Sequence, residues 1–206
     1  LLTKIKESAV KEETSLIESM SGQYIESGPS GAPTRGRPEV LPTGRNFYSV
    51  DLRGLPTESA WDVGKRSAEN LLEMYLMENG EHLRHMALSV WGTATMRNGG
   101  EEISQLLRLI GVHPIWDGPT RRVIDLEVIP LSILNRPRVD VTLRISGLFR
   151  DAFPQLIEYV NKAIRLVSEL NEPIEMNPIS QDKVKGKPIH RIYGSAPGAY
   201  GAGLQA

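Results

Sequence analysis

Cysteine is absent from the sequence, so the chain can form no disulfide, thiolate metal site or cysteine nucleophile. Metal chemistry would have to use oxygen or imidazole ligands. No apolar run approaches the roughly 20 residues that a membrane span needs, and no leader-like segment precedes the first charged stretch. A formal net charge of −1 argues against binding to a nucleic-acid backbone. We therefore expect a soluble, cytoplasmic protein with no membrane span and no nucleic-acid partner.

Glycine and proline are concentrated in two long segments. Residues 28–57 read GPSGAPTRGRPEVLPTGRNFYSVDLRGLPT, where prolines fix the backbone and glycines permit sharp turns. Flexible linkers favour serine, glycine and glutamate, so the arginines and aromatic residues of this segment indicate a shaped, packed loop. A disordered interdomain linker is the alternative. The second such segment is residues 173–206.

Outside these segments the sequence has the periodicities of helices and strands. Leu2, Ile5, Ala9, Leu16 and Met20 recur at helical spacing, which predicts a surface helix at the amino end. Alternation of apolar and polar residues predicts strands further along the chain. The predicted helices cover about residues 1–20, 57–79, 101–110 and 151–170, and the predicted strands cover residues 86–91, 112–116, 124–128 and 139–145.

The order of these elements predicts an α/β fold. Residues 86–91 form a short apolar run that is typical of a strand buried on both faces. A glycine-rich loop, a helix and a strand follow it, which favours a parallel βαβ crossover. We predict a partial, open, mainly parallel sheet with flanking helices and long irregular Gly/Pro-rich segments. The expected organisation is an N-terminal helix at 1–27, a rigid irregular loop at 28–56, an α/β core at 57–172 and an irregular, truncated C-terminal segment at 173–206.

Two connections in this fold follow strands and precede helices, at residues 92–100 and 146–150. If both strands belong to one parallel sheet, both connections emerge at its carboxyl edge, where open α/β sheets bind ligands. Tight turns without a ligand are the alternative. Residues 92–100 lack the Gly-Lys-Ser/Thr ending of a P-loop, and residues 198–203 have the wrong spacing for a dinucleotide loop. We therefore expect no ATP site here.

Four segments, in order, resemble the large subunit of cobaltochelatase, in the family of the magnesium chelatase H subunit. They are GPSGAPTRGRPEVLPTGRNFYSVD (28–51), LSVWGTATMRNGGEEISQLLRLIGVHPIWD (88–117), RPRVDVTLRISGLFRDAFPQLI (136–157) and RIYGSAPGAYGAGLQ (191–205). WGTATMRNGGEE and GPSGAPTRGRP resemble the cobalt branch more than the magnesium branch. Since the chain begins without methionine and is short for that family, it is interpreted as an internal fragment.

The resemblance implies ATP-dependent insertion of Co²⁺ into hydrogenobyrinic acid a,c-diamide during cobalamin biosynthesis. This subunit would bind the corrin-precursor tetrapyrrole, while separate AAA+ ATPase subunits would use ATP and Mg²⁺. One alternative is the large subunit of a magnesium or other metal chelatase that acts on a porphyrin. Another is a non-catalytic docking or scaffold segment for the ATPase subunits. A third, an independent sugar- or anion-binding α/β protein, requires a complete chain.

A chelatase of this kind must hold a flat, carboxylate-bearing ring and remove protons from its nitrogens. Arginine binds carboxylates bidentately, although it also ties together irregular backbone carbonyls. Tyrosines in irregular segments could lie against the ring, and we select Tyr200 over Tyr48 and Tyr193. The candidate carboxylate-binding residues are Arg35, Arg37, Arg45, Arg144 and Arg150.

Glu101 is the candidate acid/base or ion-relay residue, in preference to Glu102. The resemblance favours it, whereas the helix dipole alone would account for both carboxylates. Asp151 is interpreted first as a helix N-cap. The metal ligands are not identified, because the four histidines form no paired motif and His190 is only the best of them. Trp61, Trp91 and Trp116 are predicted to pack in the core.

These assignments depend on one spatial hypothesis. The proline-bearing segment at 28–57 and the two turns that open helices, at 92–100 and 146–150, are expected to form a single wall for a large, flat polyanion.

Overall fold

The structure, a computed structural model, describes residues 1–28, 33, 38–45, 51–186 and 189–200. The chain divides into two units, Leu1–Leu52 and Arg53–Ala206. None of the helices within the described residues is long and apolar enough to cross a membrane.

The first unit is organised around α1 (Leu2–Met20), at the position predicted for a surface helix. Residues 43–44 pack against the polar face of α1 through two hydrogen bonds. The Thr43 amide donates to Ser8 Oγ at 2.9 Å, and Ser15 Oγ donates to the Gly44 carbonyl at 2.5 Å. Gly44 has φ +79°, and a Cβ there would clash with the backbone of Lys11. The apolar residues of α1, including Leu2, Leu16 and Met20, are exposed. Short 3₁₀ turns lie at Pro38–Val40 and Leu52–Gly54.

The second unit begins with α2 (Glu58–Asn79), whose ends agree with the sequence prediction. Thr57 Oγ1 accepts from the Ala60 amide at 3.1 Å, and Gly80 closes the helix in the left-handed conformation at φ 71°. α2 packs against α4 (Glu101–Ile110), another predicted helix. The two helices cross closely because Gly64 has no side chain: a Cβ there would lie 2.5 Å from Ser104 Cβ.

A three-stranded parallel sheet forms the centre of this unit, in the order β1-β4-β5. One face packs on α4, and burial of the β4 positions Val141, Leu143 and Ile145 forms that side of the core. β1 is exposed or half-buried at five of its six positions, so the prediction of a strand buried on both faces is wrong. The strands are β1 (His85–Val90), β4 (Asp140–Ile145) and β5 (Ile192–Gly194).

The predicted parallel crossover from β1 through α4 to the next strand is also wrong. That strand, β2 (Val112–Trp116), pairs antiparallel with β3 (Val123–Val128) in a separate two-stranded sheet. The parallel partner of β1 is instead β4, with register pairs from His85–Asp140 to Val90–Ile145. The fold is α/β with a mainly parallel sheet, as predicted, but its strand order is different.

Short helices occupy both strand-to-helix connections, which the sequence predicted as loops. They are α3 (Gly92–Asn98) after β1 and α6 (Gly147–Ala152) after β4. The long helix expected from Asp151 begins at Pro154 as α7 (Pro154–Ser168), with Phe153 as its N-cap. Asp151 is therefore a residue of α6 and not an N-cap, and Ser146 caps α6 instead. The remaining elements are α5 (Leu131–Leu134) and α8 (Ser180–Val184), the latter in the C-terminal segment that also supplies β5.

Candidate functional site

The carboxyl ends of β1 and β4 meet, as the sequence analysis expected for two parallel strands. The Gly92 amide donates to Ser146 Oγ at 3.1 Å, and the same oxygen accepts from the Phe149 amide at 3.2 Å. A Cβ on Gly92 would lie 2.8 Å from Leu148 Cγ and 2.9 Å from the Phe149 nitrogen. The serine and the glycine thus allow α3 and α6 to begin side by side at this edge of the sheet.

The C-terminal segment at 195–200 lies over the start of α6. Arg150 Nη1 donates to the Ser195 carbonyl at 2.7 Å and to the Ala196 carbonyl at 2.5 Å. A Cβ on Gly147 would clash with the Ala199 carbonyl oxygen. Two predicted site residues, Arg150 and Tyr200, are brought together here, with the guanidinium carbon 5.9 Å from the ring centroid.

The hydrogen bonds of Arg150 hold this segment in place. Its Nε and Nη2 atoms donate to the two oxygens of Asp151 at 2.7 and 2.9 Å, and Tyr200 donates its hydroxyl to Asp151 at 2.7 Å. The bonds from Arg150 and Tyr200 lower the pKa of Asp151, and the bond to Asp151 raises the pKa of Tyr200. Arg150 thus binds irregular backbone carbonyls, as the alternative to carboxylate binding described, and its role toward a ligand stays a prediction.

Arg144 differs from Arg150 in having no such partners. It is exposed on β4, and within the described residues it makes no hydrogen bond or ion pair. In register it lies between Ser89 of β1 and Tyr193 of β5. It lines a cavity of about 370 Å³, together with residues of all three strands and Ser195, the residue whose carbonyl Arg150 binds.

The amino ends of the same strands carry a charge cluster that is already paired. Arg191 donates to both oxygens of Asp140 at 2.6 and 2.7 Å and to Asp182 at 2.6 Å. These hydrogen bonds raise the pKa of Arg191. His85 Nδ1 lies 3.8 Å from Asp140. Because Asp140 is almost fully buried and bound bidentately, this cluster fixes the start of β5 against β4.

Glu101 lies at the opposite end of α3 from the meeting point of the strands. The seven residues of α3 span about 10 Å, so Glu101 does not share the Arg144 cavity. Burial, followed by repulsion from Glu102, raises the pKa of Glu101, and Arg97 partly opposes this shift. Glu102 accepts from Asn98 Nδ2 at 2.9 Å. Glu101 is thus the carboxylate better suited to accept a proton.

An aromatic cluster contains Trp61, His113 and Trp116. The ring centroids of Trp61 and His113 are 4.9 Å apart, and Trp116 donates its indole N–H to the Pro56 carbonyl at 2.9 Å. Burial lowers the pKa of His113, which favours neutral imidazole. Trp61 is buried as predicted, but Trp91 is 48% exposed, so its assignment to the core is wrong.

Metal ligands are not evident in the part of the chain that the structure describes, where no three His, Asp or Glu side chains are grouped to hold an ion. The predicted residues Arg35, Arg37 and Tyr48 lie outside the described residues. Arg45 is half-buried, and its side chain lies close against Gly28, where a Cβ would be 3.0 Å from Arg45 Cβ. The contribution of segment 28–57 to a shared wall stays a prediction.

Two important polar residues were missed by the sequence analysis. Arg138 is fully buried and binds Glu172 and three backbone carbonyls, and its local sequence, RPRVD at 136–140, does not distinguish it from an exposed arginine. Asn98 accepts from the Gly100 and Glu101 amides at 2.9 and 3.3 Å and so caps α4. An asparagine just before two glycines and a helix is the signal that could have identified it.

Comparisons with known proteins relate the whole chain to metal chelatases. The sequence model of the CobN/Magnesium Chelatase family matches residues 1–206. The chain is 50% identical to the aerobic cobaltochelatase subunit CobN of Pseudomonas aeruginosa, over 92% of this chain and 16% of the relative. It is 36% identical to the magnesium-chelatase subunit ChlH of rice, over 92% of this chain and 14% of the relative. The chain therefore corresponds to only about a sixth of these relatives.

A solved structure extends the similarity to three dimensions. The catalytic subunit of cobaltochelatase from Mycobacterium tuberculosis superposes with a TM-score of 0.76 and 45% sequence identity, over 96% of this chain and 18% of that one. Both the sequence match and the superposition cover nearly all of the chain. The chain belongs to the CobN/magnesium chelatase family.

Proposed function

We propose that the chain is part of the large subunit of a cobaltochelatase, which inserts Co²⁺ into hydrogenobyrinic acid a,c-diamide in an ATP-dependent reaction. Separate AAA+ ATPase subunits bind and hydrolyse ATP with Mg²⁺, and the reaction takes place in the cytoplasm. In this proposal the segment contributes to binding of the tetrapyrrole. The higher identity to a cobaltochelatase subunit, 50% against 36% for a magnesium-chelatase subunit, supports cobalt over magnesium.

The observation that carries tetrapyrrole binding is the guanidinium of Arg144 beside a cavity on the sheet, which has no hydrogen-bond or ion-pair partner among the described residues. A cation without an internal partner is available for a carboxylate of the ligand, and the bidentate geometry of arginine matches that group. Arg150 and Tyr200 support this surface indirectly, because they hold the segment at 195–200 that borders it.

Glu101 is proposed to accept a proton during metal insertion. Protons on the ring nitrogens must leave as Co²⁺ enters, and a carboxylate with a raised pKa is a stronger base than an ordinary one. In the fragment Glu101 lies away from the Arg144 cavity. For Glu101 to take a proton directly from the ring nitrogens, a macrocycle bound at one edge by Arg144 would have to extend toward the start of α4. Otherwise the proton would have to reach Glu101 through solvent.

The test uses the full-length subunit with its ATPase partners, and it follows cobalt insertion by the change in tetrapyrrole absorption. Glu101→Gln is expected to lower kcat by about 100-fold or more, the usual contribution of a general base. Glu102→Gln is the matched control: glutamine can still accept from Asn98, and the variant removes only the smaller of the two causes that raise the pKa of Glu101, so its loss of kcat should be far smaller. Unchanged insertion by the Glu101 variant would remove this residue from the mechanism.

The exposed apolar residues of α1 favour one alternative, that this segment docks the ATPase subunits. Stable binding of those subunits to the full-length protein, without any tetrapyrrole binding, would support docking and contradict the proposed function. Faster insertion of Mg²⁺ into a porphyrin than of Co²⁺ into the corrin precursor would support the magnesium alternative.

A further inference from the structure

Within the described residues, one face of the parallel sheet is largely exposed. β1 and β4 alternate, so His85, Ala87 and Ser89 share a face with Asp140, Thr142 and Arg144, and Tyr193 continues this face on β5. All of these residues except Asp140 and Thr142 are exposed. Parallel sheets normally have both faces covered. We call this face, as the described residues leave it, the open face.

The chemistry of the open face is selective. Its acidic residue, Asp140, is neutralised by Arg191, so within the described residues the unpaired charge on this face near the cavity is the guanidinium of Arg144. Next to it the ring of Tyr193 is 57% exposed, and its hydroxyl donates to the His190 carbonyl at 3.2 Å. The tyrosine thus presents an oriented ring one strand spacing, about 4.8 Å, from the arginine.

The floor between these two side chains is made of small residues. Ala87, Thr142 and Gly194 line the cavity of about 370 Å³, and none of them projects far above the sheet. Gly194 lies so close to β4 that a Cβ there would be 2.8 Å from Ile145 Cγ1. The cavity is at the small end of the range for ligand pockets, about 300–1,000 Å³. It accommodates one edge of a large ring and not the whole of it.

The geometry points to the open face as the seat for one carboxylate-bearing edge of a flat, conjugated ring, with Arg144 binding the carboxylate and Tyr193 stacking on the ring. This inference rests on the proposed function and adds to it the groups that recognise the substrate. Arg144 acts as a specificity residue, since it distinguishes a carboxylate from an amide or ester. Arg150 is not assigned this role, because four of its five N–H donors are bound to Asp151 and to the Ser195 and Ala196 carbonyls.

The experiment is a fluorescence-quenching titration of the full-length subunit with two ligands. The acid is hydrogenobyrinic acid a,c-diamide, and the ester is the same compound with its free carboxylates converted to methyl esters. Arg144→Ala is expected to weaken binding of the acid by about 10- to 100-fold, the usual effect of losing a charged hydrogen bond. The same variant should bind the ester within about threefold of wild type, a difference too small to represent a lost charged bond. Tyr193→Ala should weaken binding of both ligands by about 2- to 10-fold, because the stacking contact is lost.

Arg66→Ala is the control, since Arg66 is an exposed arginine of α2 that donates to the Asp62 carbonyl of its own helix. If the Arg144→Ala variant binds the acid as tightly as wild type does, the assignment of the open face is wrong. The proposed function would not be affected by that result, because the wild-type subunit would still bind the tetrapyrrole. Equal weakening for acid and ester would show that the face packs against another part of the polypeptide, and would also overturn the inference. No binding of either ligand by wild type would instead overturn the proposed function.

Discussion

Replacing Arg138 tests how the core of the second unit is held together. Its side chain is fully buried, and all five N–H donors are used. Nε and Nη2 donate to the two oxygens of Glu172 at 2.7 and 2.8 Å, while the carbonyls of Ile110, Gly111 and Ile129 accept at 2.9–3.1 Å. The guanidinium thereby joins the end of α4 to the residues after β3 and to Glu172.

Arg138→Met keeps most of the volume but removes every donor. It leaves the Glu172 carboxylate, whose side chain is 15% exposed, and three carbonyls without this partner. Breaking a buried ion pair from one side costs about 3–5 kcal/mol. For a unit of about 150 residues, each kcal/mol lowers Tm by about 2–4 °C, so we expect Tm to fall by roughly 6–20 °C.

Urea unfolding followed by tryptophan fluorescence measures the loss, because all three tryptophans lie in this unit. Arg138→Lys keeps a charge and some of the donors, so its loss should be smaller and should remain measurable if the methionine variant does not fold. The exposed Arg66→Ala should change the free energy of unfolding by less than about 0.5 kcal/mol. If the free energy of unfolding of the methionine variant is within about 1 kcal/mol of wild type, the reasoning is wrong, because removing one partner of a buried ion pair should cost about 3–5 kcal/mol.

Two further predictions concern the edge of the sheet and α4. Gly147→Ala should displace the segment at 195–200, because the new Cβ would clash with the Ala199 carbonyl. Amide hydrogen exchange in that segment should therefore become faster. Gly118→Ala is the control, because Gly118 has open space around it, and it should leave exchange at 195–200 unchanged. Glu101 has a raised pKa in the folded state, so its contribution to stability is present at low pH and is lost as the pH rises through that pKa. Glu101→Gln should therefore gain stability relative to wild type with increasing pH in urea unfolding, and a constant difference would contradict the shift.

Local signals in the sequence correctly predicted much of the fold. Thr57 and Gly80 bound α2, and Gly111 closes α4 at φ 82°, because capping depends on residues within a few positions of the helix end. The alternation in β3 and β4 located those strands for the same reason. The convergence of the two strand-to-helix connections also followed from the sequence, since it requires only that both strands be parallel members of one sheet.

Strand pairing was not predictable in the same way. An apolar run at 112–116 fits either sheet, and the choice of β3 as the partner of β2 depends on contacts that the local pattern does not contain. One face of β1 is exposed in the part of the chain that the structure describes, so its apolar run suggested more burial than it has. The same open face explains Trp91, which directly follows β1 and is exposed although tryptophan usually packs in a core.

The arginines show most clearly which part of the site requires coordinates. Arg144 and Arg150 are six residues apart, and both lie near the end of β4. From the sequence alone, either one could bind a carboxylate of the ligand. Their difference arises from segment 195–200, about 50 positions later in the chain, which supplies the carbonyls that Arg150 binds, whereas no described residue of this segment pairs with Arg144. Loss of either side chain could weaken ligand binding, but only for Arg144 should the loss depend on the carboxylate of the ligand. For this reason the comparison of acid with ester separates recognition of the substrate from support of the surface that receives it.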